Sequence, residues 1–347
     1  MTSYFALLLV NWMILFVTGS NAVPDVQLFT MQKDSEFLQD WVHYHGRIFG
    51  YDKLTIIDTD SSHTGKQELN KIMQLGVTVN FQNRNGFRDK LMQMSANMLL
   101  HNDKSAFLVP LDIDEFLVAV RYGGGASTFS MNKTAIWESF GKLSVPVNKN
   151  KGMKYKFNTF DAIDCSASLN IRDPPRSLRH HQGEMFVEDR DTLTRCGAKT
   201  FYHSDGFSWT DDGNHYGKVM NESKLCFTKS LCRKCYHKFM KSGLGLLHFS
   251  THSMNYNEIK EKMLQRFSVL SQFNGKDTLK ECSNFKKNAH YCKFHAHLLQ
   301  DGDQYLIDNL QSKRQAKCAA RVFRHSAPAA LFSSQQWTAL SGPGAVV

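Results

Sequence analysis

The sequence contains no hydrophobic run long enough to cross a bilayer as a helix. Residues 4–17 are apolar except for Asn11, but the run is about 14 residues against the ~20 that a span requires. The small residues of Ser20-Asn21-Ala22 follow. Residues 1–22 therefore read as a cleaved signal peptide, with a short signal anchor in type II topology as the alternative. Basic residues form no long run, which argues against nucleic-acid binding. Internal repeats are absent. The stretch Gly123-Gly124-Gly125-Ala126-Ser127 has no phosphate-loop pattern and reads as a flexible loop. Cys226, Cys232, Cys235 and His237 crowd together and Cys232-Arg233-Lys234-Cys235 is a common zinc half-site, but no second Cys-x-x-Cys follows it.

What is present suits one sizeable domain. A chain of 347 residues with 42% hydrophobic content can bury a full core. The 42 Lys and Arg against 32 Asp and Glu give a formal charge of +10, which favours phosphate-bearing ligands or simply keeps the protein soluble. The 8 cysteines are Cys165, Cys196, Cys226, Cys232, Cys235, Cys282, Cys292 and Cys318. An even number behind a signal sequence points to disulfides, with zinc binding as the rival reading. The sequons Asn132-Lys133-Thr134 and Asn221-Glu222-Ser223 fit the same compartment. Past Cys318 the chain turns rich in Ala, Ser and Gly, and residues 319–347 read as a disordered tail.

Ahead of residue 118 the pattern alternates strand and helix. Residues 26–32 form an apolar strand; Asp34 or Ser35 then caps a helix carrying Phe37, Leu38, Trp41, Val42, His45, Ile48 and Phe49 at helical spacing. Gly50 stops it. A second strand at 53–58, a helix at 66–75 closed by Gly76, a strand at 77–81, a helix at 88–100 and a strand at 106–111 follow. Such alternation predicts an α/β fold with a mostly parallel sheet covered on both faces, and ligands beyond the carboxyl ends of the strands. Pro110 interrupts the fourth strand and marks a bulge or its last paired residue. Further on, 137–143 reads as a short helix and 151–165 as a hairpin pair carrying Phe157 and Phe160.

The chemistry concentrates at Asp112-Ile113-Asp114. If the strand runs through, alternation puts Asp112 and Asp114 on one face, an oxygen-rich pair suited to a hard divalent cation that in turn holds nucleotide phosphates. Asp58 and Asp60 end the second strand in the same way. Downstream, Trp209-Thr210-Asp211-Asp212-Gly213-Asn214-His215-Tyr216-Gly217 combines rings, carboxylates and glycines, as a sugar-binding turn needs.

The ordered set Lys33-Asp34-Ser35, Leu38, Asp40-Trp41, Tyr44-His45, Gly50, Asp58-Thr59-Asp60-Ser61-Ser62 and Asp112-Ile113-Asp114-Glu115-Phe116-Leu117 resembles glycosyltransferase domains related to families 2 and 92. Their pattern reads K-N-E, L-x-E-W, Y-H, a glycine, D-N-x-S, then D-x-D-E-F. Leu247-His248-Phe249-Ser250-Thr251-His252-Ser253, ahead of a helical run at 258–270, is similar to the family's late H-Y-x-x-x-S element. Ser35 and Asp40 stand where the family has glutamates.

The resemblance implies the GT-A fold over residues 24–275, with a Cys-containing helical extension at 276–318. It implies transfer of a sugar, with inversion, from a nucleotide-diphosphate donor such as a UDP-sugar to a glycan or glycoprotein acceptor, in the Golgi lumen or after secretion. Manganese would sit on Asp112, Asp114 and His248, with Asp112 touching ribose or metal, and Asp58 and Asp60 would meet base and ribose. Arg88 and Lys90, at the start of the third helix, are the candidates for the diphosphate. Asp212 or Asp211 is the candidate catalytic base, with Asp161 in reserve. The competing readings are a noncatalytic lumenal sugar-binding pseudoenzyme and a metal-dependent phosphohydrolase. The latter usually shows additional D-x-H or H-D pairs, which the chain lacks.

Overall fold

The computed structural model describes residues 24–33, 35–82, 107–123, 126–143, 154–164, 185–189, 199–204, 207–210, 217–219 and 240–249, together with 304, 307, 308, 311 and 312. The α/β class holds. Strand β1 (Val26–Gln32) is parallel to β2 (Leu54–Asp58) on one side and to β4 (Phe107–Asp112) on the other, and β2 is parallel to β3 (Thr78–Phe81). The resulting order β3-β2-β1-β4 is that of a Rossmann-like half-sheet, whose direction of growth reverses between β1 and β4. All of β2 and most of β1 are buried, as strands covered on both faces must be. Pro110 is neither a bulge nor the end of pairing. The register with β1 runs unbroken from Val26↔Phe107 to Met31↔Asp112, while the other neighbour, β9 (Thr200–His203), pairs only with Phe107 and Leu108 and leaves that edge of Pro110 without a ladder to break.

Helix α1 (Leu38–Phe49) starts later than its polar residues suggest. The Ser35 hydroxyl accepts from Phe37 N–H at 3.3 Å and Ser35 C=O from Leu38 N–H at 3.2 Å, so the serine organises the preceding turn rather than capping the helix itself. Gly50 ends α1 at φ 104°, a conformation disfavoured for any residue with a Cβ, and its N–H reaches Gly46 C=O at 2.9 Å. Helix α2 (His63–Met73) starts earlier than its apolar residues suggest, because Ser62 accepts from Gly65 N–H at 3.2 Å as a side-chain cap.

The second half of the sheet is mixed. Strand β5 (Glu115–Gly123) and β6 (Ala126–Ser130) pair antiparallel in register to Gly123↔Ala126; Gly124 and Gly125 of the glycine-rich stretch lie outside the described residues. Helix α3 (Lys133–Leu143) begins at an Asn132 cap, whose Oδ1 accepts from Ala135 N–H at 3.2 Å. It donates from Trp137 Nε1 to Ile48 C=O at 3.0 Å and from Lys133 Nζ to Arg47 C=O at 2.9 Å, satisfying carbonyls that the last turn of α1 leaves open. The hairpin expected over 151–165 is corrected within the described residues: β7 (Lys154–Asp164) is a single strand. Phe157 stacks on Phe201 and Phe160 packs on Phe129, and this change of apolar phase imitates a turn. One edge of β7 pairs with β9 (Thr200–His203) and then β8 (Met185–Asp189), and the other runs parallel to β12 (Met240–Phe249).

Among the described residues the sheet has ten strands in the order β3-β2-β1-β4-β9-β7-β12-β5-β6, with β8 against β7. The main core includes Leu28, Trp41, Ile56, Val109, Phe116, Phe140, Phe157 and Leu246, and it takes in α1, α2 and α3; Ile307, itself helical, packs on it. Phe29, Ile57, Leu108 and Tyr202 alternate with these residues along their strands and form a second cluster with Phe207 of β10 (Phe207–Thr210), which pairs with β11 (Gly217–Val219). No helix among the described residues is long and apolar enough to cross a membrane.

Gly245 lets β12 fit between β5 and β7. A Cβ there would lie 2.8 Å from Asn158 C=O, 2.6 Å from Val120 Cγ2 and 2.9 Å from Phe160 Cε2. Because one of those atoms is backbone, Gly245→Ala is expected to cost about 1–3 kcal/mol of stability. A lowered denaturant midpoint would register it, and an unchanged midpoint would mean that the sheet yields at this point.

Candidate functional site

The reversal point between β1 and β4 places the carboxyl ends of β1, β2 and β4 side by side, where doubly wound sheets bind ligands. At the end of β2, Asp58 is fully buried. Its Oδ1 accepts from Gln32 Nε2 at 2.9 Å, both carboxylate oxygens accept from Ser61 N–H at 3.2 Å, and the Ser61 hydroxyl donates as well. Gln32 completes the knot by donating to Ser61 Oγ at 3.0 Å and accepting from Ser35 N–H at 3.3 Å. Asp58 thus holds the loop between β2 and α2 in shape. Asp60 is the outward member of the pair. It adopts φ 73°, which aspartate tolerates better than most residues, and lies 3.5 Å from Lys66 Nζ with its side chain 45% exposed.

The acidic segment after β4 does not continue as a strand. β4 ends at Asp112, Ile113 and Asp114 make a turn, and β5 starts at Glu115, so the alternation rule that would put both aspartates on one face does not apply. The two carboxylates meet different partners. Asp112 Oδ2 lies 2.5 Å from Lys199 Nζ; Asp114 Oδ2 lies 3.9 Å from His248 Nε2. Asp114 C=O also accepts from Phe249 N–H at 2.9 Å, which ties the turn to the end of β12.

Beneath them is Glu115, with Oε2 accepting from Asp112 N–H at 2.9 Å and Oε1 at 3.3 Å from Lys199 Nζ. Burial pushes the Glu115 carboxyl above its usual range, and the Lys199 ammonium opposes that shift. For Lys199 burial pulls the other way, toward loss of the proton. Asp112 and Glu115 outweigh it and hold the ammonium above its ordinary value. Lys199 reaches this place because β9 runs antiparallel to β4, which carries the residue ahead of β9 toward the carboxyl end of β4; its C=O is fixed by Phe157 N–H at 3.0 Å.

A second pair holds the site from behind. β6 pairs with β5 only from Ala119 onward, and at Leu117 the edge is completed by α1. Tyr44 Oη donates to Leu117 C=O at 2.5 Å, and Leu117 N–H donates to His45 Nε2 at 3.3 Å. His45 Nδ1 lies 2.9 Å from Trp41 C=O, so the ring is a neutral tautomer donating from Nδ1 and accepting at Nε2. The Tyr44-His45 motif therefore supports the strand that leaves the acidic turn.

Of the candidate residues, the fold brings Asp112, Asp114 and His248 to one corner and Asp58 and Asp60 to the neighbouring strand end. Asp161 occupies the β7 register position opposite His248. Arg88, Lys90, Asp211 and Asp212 lie outside the described residues, as do residues 1–23, all the cysteines and the helical run at 258–270. Glu115 and Lys199 belong to the site without a role assigned from the sequence pattern. Glu115 carried a signal, a charge opening the apolar run of β5; Lys199 carried none. Among the described residues no three His, Cys, Asp or Glu side chains form a ready-made metal cage.

Fold and site together define a Rossmann-like α/β protein with an acidic turn at the reversal point of its sheet. No protein-family profile matches the chain, and no curated protein matches it. Among solved structures it is similar to mannosyltransferase PcManGT from Pyrobaculum calidifontis in complex with GDP-Man and Mn2+, at 14% identity and a TM-score of 0.28, over 94% of this chain and 86% of that one. At that score the likeness decides nothing about the site described above.

Proposed function

We propose that the protein is a GT-A glycosyltransferase that takes its sugar from a nucleotide-diphosphate donor, a UDP-sugar first among them, and hands it to a glycan or glycoprotein. The observation that carries this reading is the approach of His248 to Asp114 at the carboxyl-end crevice, built from β4, β5 and β12. A carboxylate and an imidazole 3.9 Å apart suit a cation such as manganese, which needs few protein ligands when phosphates and water complete its shell. Asp114 and His248 would hold it. When bound, such an ion neutralises charge developing on the diphosphate leaving group.

The chain's own residues do the rest. Asp112, its orientation fixed by Lys199, faces the donor's ribose. Asp58 shapes the loop that carries Asp60 toward base and ribose, while Arg88 and Lys90 serve the diphosphate. Asp212 or Asp211, with Asp161 in reserve, removes the acceptor hydroxyl's proton on the side away from the leaving group, with inversion at the anomeric carbon. The apolar amino terminus and the 8 cysteines support a secretory, disulfide-bonded protein.

The test is calorimetric titration of UDP- and GDP-sugars with and without Mn2+. The expected result is donor binding that EDTA removes and that His248→Ala weakens by about 1–3 kcal/mol, the cost of losing a contact to a charged group. Absence of binding by every nucleotide sugar would overturn the reading.

A further inference from the structure

We propose that Lys199 is a built-in counter-cation, confining divalent-metal binding to Asp114 and His248, so that metal enters with the nucleotide diphosphate rather than ahead of it. The nucleotide half of this statement rests on the transferase reading; the metal half stands on the lysine's geometry. Lys199 Nζ lies 2.5 Å from Asp112 Oδ2 and 3.3 Å from Glu115 Oε1, bridging the outermost and innermost carboxylates of the acidic segment. Its side chain is only 7% exposed against 43% for Asp112, so the ammonium sits under the carboxylate and not in solvent. An ammonium held this way is a fixed charge. A divalent ion approaching Asp112 must either displace it or sit beside it, and unlike charges at such short range in a partly buried setting interact far more strongly than at the surface.

Lys199 has little room to withdraw. Its C=O is held by Phe157 N–H at 3.0 Å, and the adjoining strand β9 is paired with both β4 and β7. Leaving would also strand Glu115, which is buried and anchored through Asp112 N–H. The other two candidate ligands at this corner are Asp114 and His248, and two protein ligands bind manganese weakly until phosphate oxygens join them. The arrangement thus makes the diphosphate part of the metal site.

Mn2+ binding to the full-length protein without nucleotide, followed by the electron paramagnetic resonance signal of free Mn2+, tests the idea. Asp112→Asn should leave that affinity within about twofold of native, because Asp112 is already occupied by Lys199, whereas Asp114→Asn should lower it at least tenfold, roughly one lost ligand. Lys199→Met should raise it at least tenfold by releasing the Asp112 carboxylate, and Lys199→Arg should not. Equal losses in Asp112→Asn and Asp114→Asn would overturn the proposal, and Asp112→Asn keeps the test alive if Lys199→Met fails to fold. Failure of UDP or GDP to tighten Mn2+ binding would overturn the transferase reading and the nucleotide half of the statement, with the comparison among variants still deciding the role of Lys199.

Discussion

On the proposed transferase reading, Asp114→Asn is expected to lower metal-dependent sugar transfer by about 10²–10³-fold, the range found when one preorganised electrostatic group is removed from a reaction centre. The fold should survive the change. Asparagine has nearly the shape of aspartate, and the contact that ties the turn to β12, from Phe249 N–H to residue 114, uses the backbone carbonyl and is retained. What is lost is the charge facing His248. Initial rates with donor and Mn2+ measure the first effect, and a melting temperature within a few degrees of native measures the second. Native turnover in a folded variant would remove Asp114 from the site and leave the acidic turn a structural feature.

The other large effect falls on stability and pH. His45→Ala removes an acceptor for Leu117 N–H, a donor for Trp41 C=O and a ring stacked on Phe116 at 5.8 Å, all fully buried. A cavity plus unsatisfied backbone groups should cost about 3–5 kcal/mol. The native histidine also has a pH signature. Burial lowers its pKa to about 3, with the hydrogen bond to Trp41 C=O opposing, against 6.5 for the free side chain. A folded value below the unfolded one means that its stability contribution is complete above pH 6.5. It drains as pH falls from 6.5 toward 3, at up to about 1.4 kcal/mol per pH unit, since only the unfolded chain then takes the proton. Urea midpoints from pH 7 to pH 4 should therefore fall more steeply for the native protein than for His45→Gln, which cannot be protonated. Parallel slopes would show that the ring is solvated. Because Leu117 follows Asp114 by three residues along the chain, loosening this edge should also soften the acidic turn.

The first half of the fold was legible because its signals are local. An apolar run marked β1 at the residues where it is found, Gly50 closed α1, and acidic residues fell at the ends of β2 and β4. Legibility failed where two elements share one signal. The step between Phe157 and Phe160 looks like a turn only if one face of the strand is assumed to be covered, and β7 is covered on both. It failed again at Ile113-Asp114, where two charged residues around one apolar residue fit a strand end or a turn equally well.

By itself the sequence determined where β1, α1, β2, α2, β3 and β4 fall, and with them the parallel half-sheet and the strand ends that carry Asp58 and Asp112, since helix and strand periods, glycine stops and polar ends act over a few residues. Only the tertiary structure decided the partners: that Asp112, 87 residues before Lys199, would be held by its ammonium, that Asp114 would face His248, and that Asp58 would turn inward to Gln32 and Ser61. Those contacts depend on the pairing of β9 with β4 and of β12 with β5, and strand register over such separations is set by the packing of the whole sheet, which no local pattern encodes.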